Sequence, residues 1–297
     1  MGKIIRGVSK NARFFLVDST DIVQKALDIH KCSPTAIDAF GRLLTAGVMM
    51  GSTLKGKDLL TLRTDTDGLL NNMVVTADSE GGVKGYVSNP SADVALKDNG
   101  RSNVGALVGK GMLRIIKDMG LKEPYVGMSP IDSGEIAQDL AYYFFNSDQT
   151  PTVIALGVNL KDERTVACAG GYMIQLLPGA EECFIEALEE KVQAIRPITE
   201  LMMGGMDLKR ILKLLYEDMS SENNEKLIEE YEILEEKEVN YKCNCDKDKF
   251  YRGLITLGKK ELNEIFETQE FLETECHFCG KKYKFTKEDF KDILEVK

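Results

Sequence analysis

The 297-residue sequence lacks the motifs that mark nucleotide-driven and hydrolytic proteins. It contains no G-x-x-x-x-G-K-[ST] phosphate loop, and the nearest string, Leu107 to Leu113, has no hydroxyl side chain to hold magnesium. It has two histidines and no G-x-S-x-G turn, so no hydrolase constellation can be recognised. We therefore expect a protein that is not an enzyme and that works without ATP or another nucleotide.

Long apolar runs are also missing. The first residues, MGKIIRGVSKNARFF, are basic but hold no apolar run of signal-peptide length, and no later stretch approaches the roughly 18 to 20 apolar residues that span a bilayer. We expect no membrane association and a cytoplasmic location. In that reducing compartment the seven cysteines are expected to be ligands, redox centres or buried small side chains rather than structural disulfides.

The chain has fewer basic than acidic residues. The chain carries 48 acidic and 38 basic residues, a formal net charge of −10, which argues against the phosphate backbone of nucleic acid as its main partner. Much of the imbalance falls between Glu217 and Glu238, where ten acidic residues face two lysines. This composition alone is compatible with a solvated helical face, or with a weakly packed segment that depends on docking to its neighbours.

The length and an apolar share of 43% predict two domains, or one large domain with a small appendage. Residues 1–178 are predicted to form a large α+β domain rich in β-hairpins. A helix is expected to begin at Ser33 and Pro34, and Asp132 with Glu135 is expected to form a capping box for a later helix. Strand-like runs occupy residues 12–18, several short segments of 59–108, 112–116, 151–160 and 165–177.

Two further segments are predicted beyond this domain. Pro178 and Gly179 punctuate the chain, and residues 179–239 are charged and predicted to be a helical linker. Residues 240–297 are predicted to form a small zinc-binding domain, since a segment of this length would gain much of its folding free energy from a metal.

Four cysteines carry the strongest chemical signal. They form a C-x-C pair, Cys243 and Cys245, and a C-x-x-C pair, Cys276 and Cys279. Two such pairs can complete the tetrahedron of sulfurs that zinc prefers, so we predict one zinc per chain in the reduced state. Four thiolates close the coordination sphere and leave no position for a catalytic water, which favours a structural site.

The same four residues permit a second chemistry. Zinc holds cysteine sulfurs as thiolates, the form that oxidants attack, so the site could also act as a redox switch. Their spacing alone leaves the static site and the switch both open. The other cysteines, Cys32, Cys168 and Cys183, are isolated and are expected to be buried by packing. His277 could serve as a ligand only if one cysteine were missing.

The sequence resembles the heat shock protein 33 family of redox-regulated bacterial chaperones over nearly its whole length. The resemblance rests on RFFLVDST, AFGRLLTAGVMMGSTLKG, GYVSNP, GGYMIQLLPGA, and the C-terminal pattern of C-x-C, RGLITLGKKEL and C-x-F-C-G. The cysteine spacing occurs in other zinc modules as well. Its combination with the N-terminal segments is what makes the resemblance specific.

The resemblance implies an ATP-independent holdase that is inactive when reduced and zinc-bound and that binds unfolding client proteins under oxidative and heat stress. It implies that the zinc ligands are Cys243, Cys245, Cys276 and Cys279. It also implies that oxidation pairs Cys243 with Cys245 and Cys276 with Cys279, and that activation brings linker unfolding and homodimer formation. The client-binding residues cannot be named from the sequence.

Two other interpretations remain open. The chain could be a zinc-ribbon regulator that binds a partner or nucleic acid through the cluster Lys281, Lys282, Lys284 and Lys287, although these lysines would equally offset the negative charge of a zinc-thiolate centre. It could also be a thiol-disulfide oxidoreductase, which would require turnover of substrate disulfides.

Overall fold

The computed structural model describes residues 2–217, 219–220, 226–227 and 229–294. The chain divides into two compact units, Met1–Tyr241 and Lys242–Lys297, here called the core unit and the cysteine unit. Within the described part of the chain, no helix combines the length and the hydropathy needed to span a bilayer. The core unit holds the mixed α+β architecture that the sequence predicts.

Most strands of the core unit belong to one ten-stranded sheet. These strands are β1 (Gly2–Ser9), β2 (Ala12–Asp18), β3 (Leu59–Thr66), β4 (Asn72–Asp78), β5 (Gly82–Val87), β6 (Gly111–Asp118), β7 (Tyr125–Ile131), β8 (Thr152–Asp162), β9 (Thr165–Leu176) and β12 (Tyr231–Tyr241). Their spatial order is β7-β6-β3-β4-β5-β12-β1-β2-β9-β8. All neighbours are antiparallel except β12 and β5. A separate ladder joins β10 (Met219–Ser220) to β11 (Lys226–Leu227).

The helices of the core unit lie on both faces of this sheet. They are α1 (Thr20–His30), α2 (Pro34–Gly51), α3 (Val104–Val108), α4 (Ala137–Asn146), α5 (Glu182–Ala194), α6 (Ile198–Met203) and α7 (Leu208–Tyr216). As predicted, α2 starts at Pro34, where the Ser33 side chain accepts a hydrogen bond from the Ala36 N–H. Nearly every residue of α2 is buried.

Two apolar cores result. Successive strand residues point to opposite faces, so Ile4 and Phe15 enter the first core with α1 and α2, whereas Ile5 and Phe14 enter the second core with α5, α6 and α7. A strand that is buried on both faces needs a nearly continuous apolar run. This explains the run ARFFLVD in β2, which the sequence predicts as a strand with the same bounds.

Two local predictions differ from the structure. The predicted hairpins of residues 59–108 are present as β3, β4 and β5, but residues 88–103 form turns and irregular chain and residues 104–108 form helix α3. The capping box of Asp132 and Glu135 is wrong, because α4 begins only at Ala137. Instead Asp139 accepts the Asp132 N–H at 3.1 Å, and a Glu135 oxygen lies 2.8 Å from an Arg42 guanidinium nitrogen.

The predicted linker is helical only in part. Helices α5, α6 and α7 cover residues 182–216 with short breaks, but residues 231–239 belong to strand β12 rather than to a helix. In β12 the odd-numbered residues are at least half-buried and the even-numbered ones are exposed, which is the alternation of a strand. Acidic side chains dominate this segment and obscure that pattern. Residues 218, 221–225 and 228 of the acidic stretch lie outside the described residues.

Candidate metal centre

The cysteine unit is small and has one apolar cluster. Its elements are α8 (Lys247–Leu254), a 3-10 turn (Ile255–Leu257), α9 (Gly258–Thr268), β13 (Phe271–Glu275), β14 (Lys282–Thr286), a second 3-10 turn (Lys287–Phe290) and α10 (Lys291–Leu294). Six apolar side chains are buried in its described part: Leu262, Leu272, Tyr283, Phe285, Phe290 and Leu294. Cys245 is half-buried and packs against this cluster.

The first cysteine pair lies where the chain enters α8. Asp246 follows Cys245 directly, and its side chain accepts a hydrogen bond of 2.7 Å from the Lys249 N–H. This N-cap satisfies a backbone donor at the start of α8 and sets the direction of the chain that leaves the pair.

The second cysteine pair lies in the turn between β13 and β14. The Cys276 N–H donates to the Lys281 carbonyl at 2.9 Å, and the Cys279 and Gly280 N–H groups donate to the Cys276 carbonyl at 3.2 and 2.8 Å. Gly280 has φ +69°, a left-handed conformation that favours glycine. The residue after the C-x-x-C pair therefore closes the turn.

The four sulfurs form one group. All four Sγ atoms lie within 4.8 Å of one another, with 3.7 Å between Cys243 and Cys276 and 3.4 Å between Cys245 and Cys279. Sulfurs bound to one zinc at about 2.3 Å in a tetrahedron are about 3.8 Å apart. The four cysteines are thus positioned to bind a metal ion, and His277 is not part of the group.

One tyrosine acts on the charge of this group. The Tyr283 hydroxyl donates to Cys245 Sγ at 3.2 Å. Burial by itself raises the pKa of the Cys245 thiol, but hydrogen bonds from Tyr283 and from the neighbouring thiols lower that pKa to about 7. At Cys279 burial dominates and raises the pKa to about 12. Tyr283 is not among the residues predicted from the sequence; the signal that could have indicated it is its position in β14, four residues after Cys279.

Comparisons with known proteins agree with this architecture. The family model described as Hsp33 protein matches residues 3–286. The chain belongs to the Hsp33 family. A relative named 33 kDa chaperonin, from Clostridium perfringens (strain SM101), is 43% identical over 300 residues, which cover 99% of this chain and 92% of the relative. Another of that name, from Clostridium botulinum (strain Loch Maree), is 40% identical over 297 residues, which cover 99% and 97%.

A solved Hsp33 structure confirms the fold. The crystal structure of the 33 kDa chaperonin (Hsp33 homolog) from Thermotoga maritima matches with a TM-score of 0.88 at 31% identity, over 99% of this chain and 97% of that one. The predicted family and the predicted α+β fold with a C-terminal four-cysteine cluster are therefore confirmed. The family match and the names of the relatives together support a role as a chaperone, which is a non-enzymatic role.

The three remaining cysteines of this Hsp33 chain lie in the core unit. Cys32 and Cys168 are buried as predicted, and burial raises their pKa values to about 12 and about 11. Cys183, in the first turn of α5, is only half-buried, which differs from the prediction. His30, two residues before Cys32, places its Nε2 3.3 Å from the Tyr241 hydroxyl.

The predicted lysine cluster makes contacts within the cysteine unit. Lys282 Nζ lies 2.9 Å from a Glu273 carboxylate oxygen, and Lys284 Nζ lies 3.7 Å from the other oxygen of Glu273. The ammonium of Lys281 lies 5.1 Å from the centre of the Tyr283 ring. These contacts give three of the four lysines local partners in this Hsp33 chain, and they favour the interpretation of a charged face over that of a phosphate-binding patch.

Proposed function

We propose that this chain is a redox-regulated, ATP-independent holdase of the Hsp33 family. It is inactive when reduced and zinc-bound, and it binds unfolding proteins and prevents their aggregation during oxidative and heat stress. The observation that carries the proposal is the group of four cysteine sulfurs, all within 4.8 Å of one another, in a chain of a chaperone family.

In the reduced state, Cys243, Cys245, Cys276 and Cys279 are the ligands of one zinc per chain. Bound zinc would hold the sulfurs as thiolates and cross-link the start of α8 to the hairpin of β13 and β14. Tyr283 donates a hydrogen bond to Cys245 and supports its negative charge. The donor set of four sulfurs fits zinc and leaves no place for a catalytic water.

Oxidation turns the four ligands into two disulfides, Cys243 with Cys245 and Cys276 with Cys279. In each pair one thiolate attacks the O–O bond of a peroxide, which forms a sulfenic acid and releases hydroxide. The second thiolate attacks the sulfenic sulfur, which forms the S–S bond and releases a second hydroxide. This pairing is the one that the family resemblance implies. Any pairing requires the side chains to move, since a disulfide bond is about 2.05 Å long.

Loss of the metal then releases the segment before the cysteines. Strand β12 ends at Tyr241, and Lys242 alone separates it in the chain from Cys243. Within the core unit, Tyr231 and Ile233 of β12 pack on the second core, and Val239 lies in the first core. Release of residues 179–239, including most of β12, therefore uncovers apolar surface of both cores, to which unfolding proteins bind. The activated chain forms a homodimer.

The protein is proposed to act in the cytoplasm on unfolded or oxidatively damaged proteins, without nucleotide and without nucleic acid. The rival function, a zinc-ribbon regulator, has less support because its lysine cluster has acidic and aromatic partners in the same unit.

The test measures zinc content and suppression of aggregation of a chemically denatured client, before and after peroxide treatment at mildly unfolding temperature. We expect about one zinc per chain to be lost as holdase activity appears, and a thiol reductant with added zinc to reverse both. Cys183→Ser, outside the cluster, is the matched control and should behave as the parent does. Zinc that stays bound, or loss of zinc without client binding, would refute the switch.

A further inference from the structure

We propose that the slot between β1 and β5, which β12 occupies, is a binding site for an extended segment of an unfolded protein. Such a segment pairs with β1 through its main chain once β12 has left. The inference rests on the proposed function, in which oxidation releases β12, and it assigns the partner's conformation and the strand that binds it.

The pairing of β12 is one-sided. β12 pairs antiparallel with β1 along the whole of that strand, from Gly2↔Val239 to Ser9↔Tyr231. With β5 it pairs only at Asn240↔Gly82 and Tyr241↔Val83. Departure of β12 therefore leaves the eight residues of β1 with an unpaired edge. Free backbone N–H and C=O groups at such an edge bind extended chains.

The slot is lined by glycines that let a strand approach closely. A Cβ atom on Gly2 would lie 3.1 Å from Val239 Cγ2, and one on Gly81 would lie 2.9 Å from Val239 Cγ1. A Cβ on Gly7 would collide with the Glu232 carbonyl. Because no side chain stands in the way at these positions, the slot accepts a backbone rather than one particular sequence.

The side chains of β12 indicate which side chains the slot can accommodate. A bulge opposite Arg6 and Gly7 changes the face of β12, so that Ile233 packs on the second core and Val239 on the first. Apolar side chains near the two ends of β12 thus pack on opposite faces of the sheet, Tyr231 and Ile233 at one end and Val239 and Tyr241 at the other. An extended, β-prone segment of an unfolded protein has this pattern, and it also has unpaired backbone groups.

Charges on β1 add a preference. Arg6 Nε lies 2.5 Å from a Glu235 carboxylate oxygen, and Lys3 Nζ lies 3.8 Å from a Glu236 carboxylate oxygen. An occupant with acidic residues at its centre is therefore favoured over a basic one.

The direction of the backbone groups makes the inference testable. The Asn240 N–H donates to the Gly81 carbonyl, on the β5 side of the strand. Since amides alternate in direction along a strand, those of Lys237 and Val239 point to β1, and those of Glu236 and Glu238 point away from it. Methylation of one amide pair or the other therefore separates main-chain pairing from side-chain contact.

Three synthetic peptides with the β12 sequence YEILEEKEVNY provide the test. One is unmodified, one is N-methylated at the positions of Lys237 and Val239, and one at those of Glu236 and Glu238. Each competes for the peroxide-oxidised full chain with fluorescent, reduced and carboxymethylated α-lactalbumin, a permanently unfolded soluble protein. The unmodified and outward-methylated peptides should displace the client equally. The inward-methylated peptide should be weaker by about tenfold or more, because two hydrogen bonds are lost.

A photoactivatable copy of the unmodified peptide should cross-link to residues 2–9. Equal competition by both methylated peptides, or none by any peptide while the oxidised chain still holds the client, overturns the inference and leaves the proposed function intact. A peptide that alters the oligomeric state but not client binding assigns the slot to a second copy of the chain, which also overturns it. An oxidised chain that holds no client removes the proposed function and this inference with it.

Discussion

In the core unit, apolar side chains are buried on both faces of a ten-stranded sheet, whereas the cysteine unit buries six in a single cluster within its described part. A domain of about 55 residues rarely gains enough free energy from apolar burial alone to stay folded. The core unit has no such deficit. We therefore infer that the cysteine unit depends on a bound metal to stay folded, whereas the core unit does not.

Removal of the metal should produce the largest difference in folding between the two units. When a strong chelator is added to the reduced protein, we expect the cysteine unit to unfold and strands β3 and β4 of the core sheet to remain folded, since structural zinc contributes about 10 kcal/mol to small domains. The loss of NMR signal dispersion for residues 242–294, with that of β3 and β4 retained, is the measurement. A cysteine unit that keeps its dispersed signals without metal would contradict the contrast.

Truncation of one buried phenylalanine in each unit tests whether folding is linked to metal binding in the cysteine unit alone. Phe285→Ala and Phe14→Ala each remove a fully buried ring and should each cost about 3 to 5 kcal/mol of folding free energy. Folding and metal binding are linked in the cysteine unit, so Phe285→Ala should weaken zinc affinity by a hundredfold or more. Phe14→Ala should leave zinc affinity unchanged and lower the denaturation midpoint of the core unit. Equal zinc affinities of the two variants would show that the linkage is absent.

A buried carboxylate tests whether the segment before β12 belongs energetically to the core unit. Glu229 accepts hydrogen bonds of 3.0 Å from both the backbone N–H and the side-chain amide of Asn11, at the turn between β1 and β2. Glu229→Ala should cost about 2 kcal/mol of core stability, because two donors lose a charged acceptor. The exposed neighbour provides the matched control, and Glu230→Ala should change stability by less than about 0.5 kcal/mol. Equal denaturation midpoints would show that this contact does not hold the segment.

The smallest expected change in stability concerns a charge network in the core unit, formed by Glu135, Arg42 and Lys97. Glu135 contacts Arg42 at 2.8 Å and Lys97 at 2.6 Å. Burial raises the pKa of Glu135, but Lys97 and Arg42 outweigh it, and the net pKa is lowered. A lowered pKa means stability that is present above the unfolded-state value of about 4.3 and lost as pH falls through the folded value.

Glu135→Gln should therefore cost about 1 kcal/mol of core stability at pH 7 and less at pH 3, because the wild-type carboxylate loses its charge as the pH falls through the folded-state pKa. Urea denaturation of parent and variant at both pH values is the measurement. A cost that is the same at both would show that Glu135 acts by shape and not by charge.

Local chemistry made some elements predictable from the sequence. The run at residues 12–18 is apolar throughout because β2 is buried on both faces, and Ser33 with Pro34 has the side chains that start a helix. The clustering of the four cysteines follows from two short spacings, each of which can direct two sulfurs to one point.

Other features depend on residues that are distant in the chain. β12 pairs with β1 from the opposite end of the sequence, and its alternation is hidden by glutamates that make ion pairs with Arg6 and Lys3. Glu135 likewise pairs with Arg42, far from it in sequence, rather than capping its own helix. No local pattern reveals such partners.

Hydrogen exchange along the full chain tests most directly whether the metal centre controls the core unit. The reduced, zinc-loaded protein is compared with the peroxide-oxidised protein, and protection is followed for β12, for residues 242–294 and for β3 and β4. We expect β12 and residues 242–294 to lose protection together, while β3 and β4 keep theirs. If β12 stays protected while residues 242–294 exchange freely, loss of the metal does not reach the core unit, and the proposed switch is wrong.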